Sequence, residues 1–130
     1  MTNQPSFGAV VFAKDLARAA KFYQELLSLS VGVAEPDLII LESSGFQLVV
    51  HPIPKKVARS ITITTPAERR TNVPTKLVFY VSSLARARQQ AALLGGALDP
   101  EKNEWEARGF RACDGQDPEG NVIQVRQRVV

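Results

Sequence analysis

At 130 residues, with 45% hydrophobic and 22% charged side chains, the chain has the size and composition of one ordinary folded domain of about 100–150 residues, which excludes the disordered and fibrous classes. Its net charge of +3 is scattered and gathers only at Lys55-Lys56 and Arg69-Arg70. That pattern lacks the basic face or interleaved stacking aromatics of a nucleic-acid binder, so nucleic acid is not an expected partner. The single cysteine, Cys113, excludes an intrachain disulfide, and no run reaches the roughly 18 consecutive apolar residues of a membrane span. With no basic segment and apolar run at its start, the chain is expected to be cytoplasmic and away from membranes.

Phe7 to Ala13 is a β-branched and aromatic run of strand type, followed by Asp15, whose carboxylate suits a helix start. Ala19, Phe22, Tyr23, Leu26 and Leu27 then recur at three- and four-residue intervals, which predicts a helix from Leu16 to about Leu29 with one buried stripe. Val31 to Ala34, Leu38 to Glu42 and Phe46 to His51 read as three strands, separated by the turn-forming Glu35-Pro36-Asp37 and Ser43-Ser44-Gly45. Residues 52–75 hold four of the eight prolines and both basic pairs; they read as a connector, with Ile61 to Thr64 as an added edge strand or the whole segment as a flap.

The order then repeats. Leu77 to Val81 is a strand, Leu84 to Leu94 a helix closed by Gly95-Gly96, and strands follow near Ala97-Leu98, Phe110 to Cys113 and Val122 to Arg126. Leu16-Ala17-Arg18-Ala19 recurs letter for letter as Leu84-Ala85-Arg86-Ala87, behind the capping residues Asp15 and Ser83. Gly45-Phe46-Gln47-Leu48-Val49-Val50 matches Gly120-Asn121-Val122-Ile123-Gln124-Val125 in pattern. An internal repeat constrains topology more than local propensity does. It predicts an α+β fold of two βαβββ modules, forming a half-open mixed-sheet barrel with the helices outside. The expected organisation is one domain over 1–130, with module one at about 5–54, the connector at about 55–75 and module two at about 76–128. Alternate strand residues would line the concave space, which is the default site.

Asp15-Leu16, Lys21-Phe22-Tyr23 and Leu26-Leu27, together with Asp117-Pro118-Glu119-Gly120-Asn121, resemble the vicinal oxygen chelate superfamily over nearly the whole chain. That family includes glyoxalase I, extradiol dioxygenases, epimerases and fosfomycin-inactivating transferases, which use a divalent metal, and bleomycin-binding proteins, which use none. The resemblance implies metal ligands on the first and last strands of each module, usually His, Glu or Gln. The matching positions here are Gly8, Val49 (or Leu48 one residue earlier), Lys76 and Gln124. Glycine and aliphatic side chains have no donor, an ammonium repels a cation, and one amide does not hold a metal against water. No metal and no cofactor are therefore expected.

Strand alternation places Gln47 and His51 on the face with Val49, and Lys76 with Val78 and Tyr80. His51 reads either as a ligand contact and acid/base group or as a half-exposed strand end, and Lys76 as a contact for an anionic or hydroxylated ligand or as a solvated strand start. Gln124, an amide inside an apolar strand, needs hydrogen-bond partners. Trp105, between Glu104 and Glu106, reads as a lid over a ligand or as a core-edge or dimer contact, and Arg111 as a carboxylate contact if its register turns it inward. Cys113 reads as an inert buried thiol, since nothing beside it lowers its pKa. No nucleophile elbow or phosphate-cradling glycine loop occurs, and no catalytic residue is assigned. The leading expectation is a metal-free small-molecule-binding protein of the bleomycin-resistance type, with Gln47, His51, Lys76, Tyr80, Trp105 and Gln124 at its ligand, assembled as a homodimer. The alternative is a lyase, isomerase or dioxygenase using a shifted metal site or His51, and a third class is a structural domain with a vestigial cavity.

Overall fold

The computed structural model describes residues 4–129. Residues 1–3, on which the reading of a leaderless start partly rests, lie outside the described residues, as does Val130. The chain divides into two compact units, residues 1–62 and 63–130.

In the first unit, strand β1 (Phe7–Ala13) leads into helix α1 (Leu16–Leu27), then β2 (Ser30–Glu35), β3 (Leu38–Ser43), β4 (Phe46–Pro52) and a short helix α2 (Lys55–Ala58). The sheet order is β1-β4-β3-β2; β1 runs parallel to β4, and the other pairs are antiparallel. Asp15 caps α1 by accepting the Arg18 N–H at 3.1 Å. The helix ends two residues before the expected Leu29, because Ser28 turns left-handed at φ 54° and the Leu29 N–H returns to the Gln24 carbonyl. Ala19, Ala20, Phe22, Tyr23 and Leu26 form the buried stripe, and α1 packs across β1, β3 and β4. Val11, Ala13, Leu41, Leu48 and Val50 supply the core from the sheet, while Val10 and Phe12, on the other side of the pleat, stay exposed. The sheet therefore has one covered face and one open face.

The second unit repeats the order: β5 (Leu77–Tyr80), α3 (Leu84–Leu93), β6 (Ala97–Leu98), β7 (Trp105–Ala107), β8 (Phe110–Gln116) and β9 (Val122–Arg128). Its sheet order is β5-β9-β8-β6, with β5 parallel to β9 and β7 added against β8. Ser83 caps α3 through the Arg86 N–H, and Gly95-Gly96 closes it with the Gly96 N–H on the Ala91 carbonyl. Leu84, Ala87 and Ala91 bury against a core that includes Leu98, Cys113, Ile123 and Val125. The two mixed sheets and their helices make an α+β fold, built twice in the same strand order.

One expected strand is absent and one further strand is present. Ile61 to Thr64 forms no strand; β-branched residues favour a strand only where a ladder partner exists, and here the Ile61 carbonyl accepts from Lys14 Nζ while Thr64 Oγ1 donates to the Pro66 carbonyl. Trp105-Glu106-Ala107, outside every expected strand, forms the extra strand β7 because β8 offers it an edge.

The segment before β5 is fastened to the second unit. Arg69 donates to Asp99 at 2.6 Å and to Gln116 Oε1 at 3.1 Å; the Arg70 N–H donates to the Gly120 carbonyl at 2.8 Å, and Gln116 Nε2 donates to the Ala67 carbonyl. Hydrogen bonding to the Asp99 carboxylate holds the Arg69 guanidinium above its ordinary pKa. The Asp117 carboxylate accepts from the Glu119 and Asn121 amides and from Asn121 Nδ2, which shapes the turn into β9.

Candidate functional site

Residues paired across a sheet share a face, so the register of β5, β9, β8 and β7 fixes the open face of the second unit. One row reads Val78, Gln124, Asp114; the next reads Tyr80, Arg126, Ala112, Trp105; a third pairs Arg128 with Phe110. α3 covers the opposite face, leaving Val78, Tyr80 and Trp105 40%, 44% and 39% exposed.

A continuous polar chain crosses this face. Lys76 Nζ lies 3.1 and 3.0 Å from the two Asp114 carboxylate oxygens. Gln124 Nε2 donates to the same carboxylate at 3.2 Å, which leaves Gln124 Oε1 to accept from Arg126 Nε at 2.6 Å. Arg126 Nη1 reaches the Tyr80 hydroxyl at 3.4 Å, and its guanidinium lies 4.0 Å over the Phe110 ring. Arg128 lies 4.3 Å over Tyr80. The buried amide of Gln124 thus has both ends paired, as burial demands. Beyond Lys76 and Asp114 the face runs into a pocket of about 350 Å³, walled by residues 69–71 and 73–75 and floored by Val122. That volume lies at the lower end of the range for small-molecule sites.

The structure brings Lys76, Tyr80, Trp105 and Gln124 to this one face, although Trp105 is part of β7 and stands in the sheet. Gln47 and His51 belong to the open face of the first unit, paired with Gly8 and Phe12. His51 Nδ1 donates to the Pro52 carbonyl at 2.8 Å, and its ring meets Phe12 edge-on. Asp114, Arg126 and Phe110 are the site residues that the sequence did not reveal. Their signal is the alternation of β8 and β9, readable only once the pairing of Asp114 with Gln124 is known.

Arg111 is not turned toward a ligand: its Nε donates to Glu104 at 2.6 Å, and its other end approaches Glu106. Cys113 is fully buried; desolvation pushes its thiol pKa up, although Arg88 nearby opposes the shift.

The four positions that the family resemblance assigns to metal ligands do not fit a divalent ion. At Gly8 even a Cβ would lie 2.9 Å from the Gln47 carbonyl oxygen, so an imidazole needs a shifted backbone. Val49 has no donor, and Leu48 is buried on the helix side of the sheet. Lys76 places a cation on Asp114, the carboxylate nearest to Gln124, where a metal would need its donors. Among the described residues no group of three or more His, Cys, Asp or Glu side chains is placed to hold a metal ion, and no helix is long and apolar enough to cross a membrane.

The family model of the glyoxalase-like domain matches residues 8–126. Among solved structures, a glyoxalase/bleomycin resistance protein/dioxygenase family enzyme from Burkholderia phytofirmans PsJN superposes with a TM-score of 0.69 at 16% identity, over 95% of this chain and 98% of that one. The fosfomycin resistance protein FosX from Mesorhizobium loti gives 0.64 at 14% identity, covering 100% and 96%. A Listeria monocytogenes FosX variant, complexed with manganese(II) and 1S,2S-dihydroxypropylphosphonic acid, gives 0.66 at 12% identity, covering 100% and 94%. At these identities the likeness is one of fold. No curated protein matches the sequence significantly. With its family model spanning nearly the whole chain and its twice-built mixed sheet, the chain belongs to the glyoxalase-like domain family of the vicinal oxygen chelate superfamily.

Proposed function

We propose that this chain is a metal-free small-molecule-binding protein, with its ligand held against the open sheet face of the second module by Lys76, Tyr80, Trp105 and Gln124. Gln47 and His51 mark the corresponding face of the first module. The observation that carries the reading is the convergence of Lys76 and Gln124 on Asp114: at two positions where the superfamily places metal ligands, an ammonium and an amide share one carboxylate. An internal cation at that point makes a bound metal redundant and electrostatically disfavoured. Beside it, exposed Val78, Tyr80 and Trp105 provide apolar surface for an organic ligand, and the adjoining pocket provides depth.

Native mass spectrometry of gently purified, chelator-treated protein tests the reading, because it weighs subunits, metal and any retained organic molecule together. The expected result is an organic adduct or a metal-free chain that takes up small molecules from a mixed metabolite pool. One chelator-resistant metal ion per chain, with activity that depends on it, would replace binding by catalysis.

A further inference from the structure

We infer that the ligand of this face is an organic oxyanion, received by the Nη1–Nη2 edge of Arg126, and that Gln124 is the positioning residue that aims this edge. The inference rests on the proposed binding function and narrows it to a chemical class.

Arg126 is held on two sides. Its guanidinium carbon lies 4.0 Å over the Phe110 ring, and its Nε donates to Gln124 Oε1 at 2.6 Å. The amide of Gln124 cannot flip without losing a partner, because its Nε2 already donates to Asp114, which Lys76 in turn clamps. What remains of the guanidinium is its outer edge, whose Nη1 makes a long contact to the Tyr80 hydroxyl at 3.4 Å. Two parallel N–H donors on a pre-oriented, part-exposed guanidinium match an oxyanion in bidentate fashion, and the lost rotamer freedom is already spent before the ligand arrives. Charge points the same way: Lys76, Arg126 and Arg128 on this face outnumber Asp114, whose carboxylate is committed to Lys76. The position that elsewhere in the superfamily carries a metal ligand here orients an arginine, so the ligand's oxygens meet a guanidinium.

The sole tryptophan, Trp105, stands in the same cross-strand row as Arg126 and Tyr80, so its fluorescence reports on the site. Three probes of similar size decide the class: benzoate, phenylphosphonate and the neutral benzamide. Benzoate or phenylphosphonate is expected to saturate with a Kd on the order of 1 mM, as befits a small fragment, and benzamide to bind at least about tenfold more weakly. Whichever anion binds tighter tells whether the native group is a planar carboxylate or a tetrahedral phosphonate or phosphate. Arg126→Met is expected to bring both anions down to the level of benzamide. Gln124→Met removes the acceptor that aims Arg126 Nε and is expected to weaken both anions relative to benzamide; a merely structural glutamine would not alter the anion-to-amide ratio. Equal binding of benzamide and benzoate would overturn the oxyanion class and leave the binding function standing. If none of the three saturates, Arg126 does not receive anions, and the binding function is then judged separately by the native mass spectrum.

Discussion

Glu104 shows how one side chain couples burial to charge. Its side chain is only 5% exposed, its Oε1 accepts from Arg111 Nε at 2.6 Å, and its Oε2 accepts from Arg88 Nη2. Burial alone would push its carboxyl pKa up, but the hydrogen bonds and charges of the two guanidiniums outweigh burial and hold the pKa below the ordinary value. A depressed folded-state pKa contributes stability that is present above the unfolded carboxyl's pKa and is lost as pH falls through the folded one. Glu104→Gln is therefore expected to cost about 1–3 kcal/mol at neutral pH, because it strips the charge from a nearly buried carboxylate shared by two part-exposed arginines. Urea unfolding of both proteins checks this: the gap should close in acid, and a gap that stays constant with pH would remove the ion pair as its source. The neighbouring Cys113 thiol, raised by desolvation, should react with Ellman's reagent only at the rate at which the protein opens. Burst labelling of the native protein would show an accessible thiolate instead.

At the scale of elements, the turn Asp117-Pro118-Glu119-Gly120-Asn121 is legible in the sequence as a motif, and the structure supplies its physical reason. Asp117 gathers three donors, and the Gly120 carbonyl takes the Arg70 N–H, so the turn binds the segment before β5 to the start of β9. Gly120 has φ +87°, and a Cβ there would collide with the Glu68 carbonyl oxygen. Gly120→Ala is expected to destabilise by at least about 2 kcal/mol, since left-handed strain and a backbone clash add. Chemical denaturation measures the loss, and raised hydrogen exchange at Arg70 locates it; unchanged protection there would mean that the turn does not anchor the segment. Two other features escaped the sequence for opposite reasons. Ile61 to Thr64 has strand-forming residues but pairs with no strand among the described residues, whereas Trp105 to Ala107 is too short to show alternation yet has an edge of β8 to join.

On the scale of the whole molecule, the duplication was readable because both helices carry the same Leu-Ala-Arg-Ala start behind a capping residue, and both modules share a sheet order. The site was only half readable. Lys76, Tyr80 and Gln124 follow from alternation within their own strands, but Asp114 and Arg126 acquire meaning through pairing between strands, and single-strand patterns carry no register.

The two modules have also diverged chemically, and this bears on metal binding. The first offers Gly8 and Val49 at its family ligand positions, which contribute no donor atom; the second offers Lys76 and Gln124, joined through Asp114. A divalent ion would have to displace an ammonium from its carboxylate and would gain at most one carboxylate and one amide, fewer than the three or so protein donors that hold such ions against water. An ion present at a hundredfold over its Kd stabilises the folded state by about 2.7 kcal/mol, enough to raise Tm by several degrees in a domain of this size. Manganese(II) and zinc(II) are accordingly expected to leave the melting temperature of the chelator-treated protein within about a degree of its metal-free value, by scanning calorimetry. Lys76→His with Gln124→Glu puts an imidazole and a second carboxylate beside Asp114 and removes the internal cation. That double variant is expected to gain a metal-dependent rise in Tm that chelator reverses. A chelator-reversible rise in the unaltered protein would instead show that donors outside these four positions complete a site.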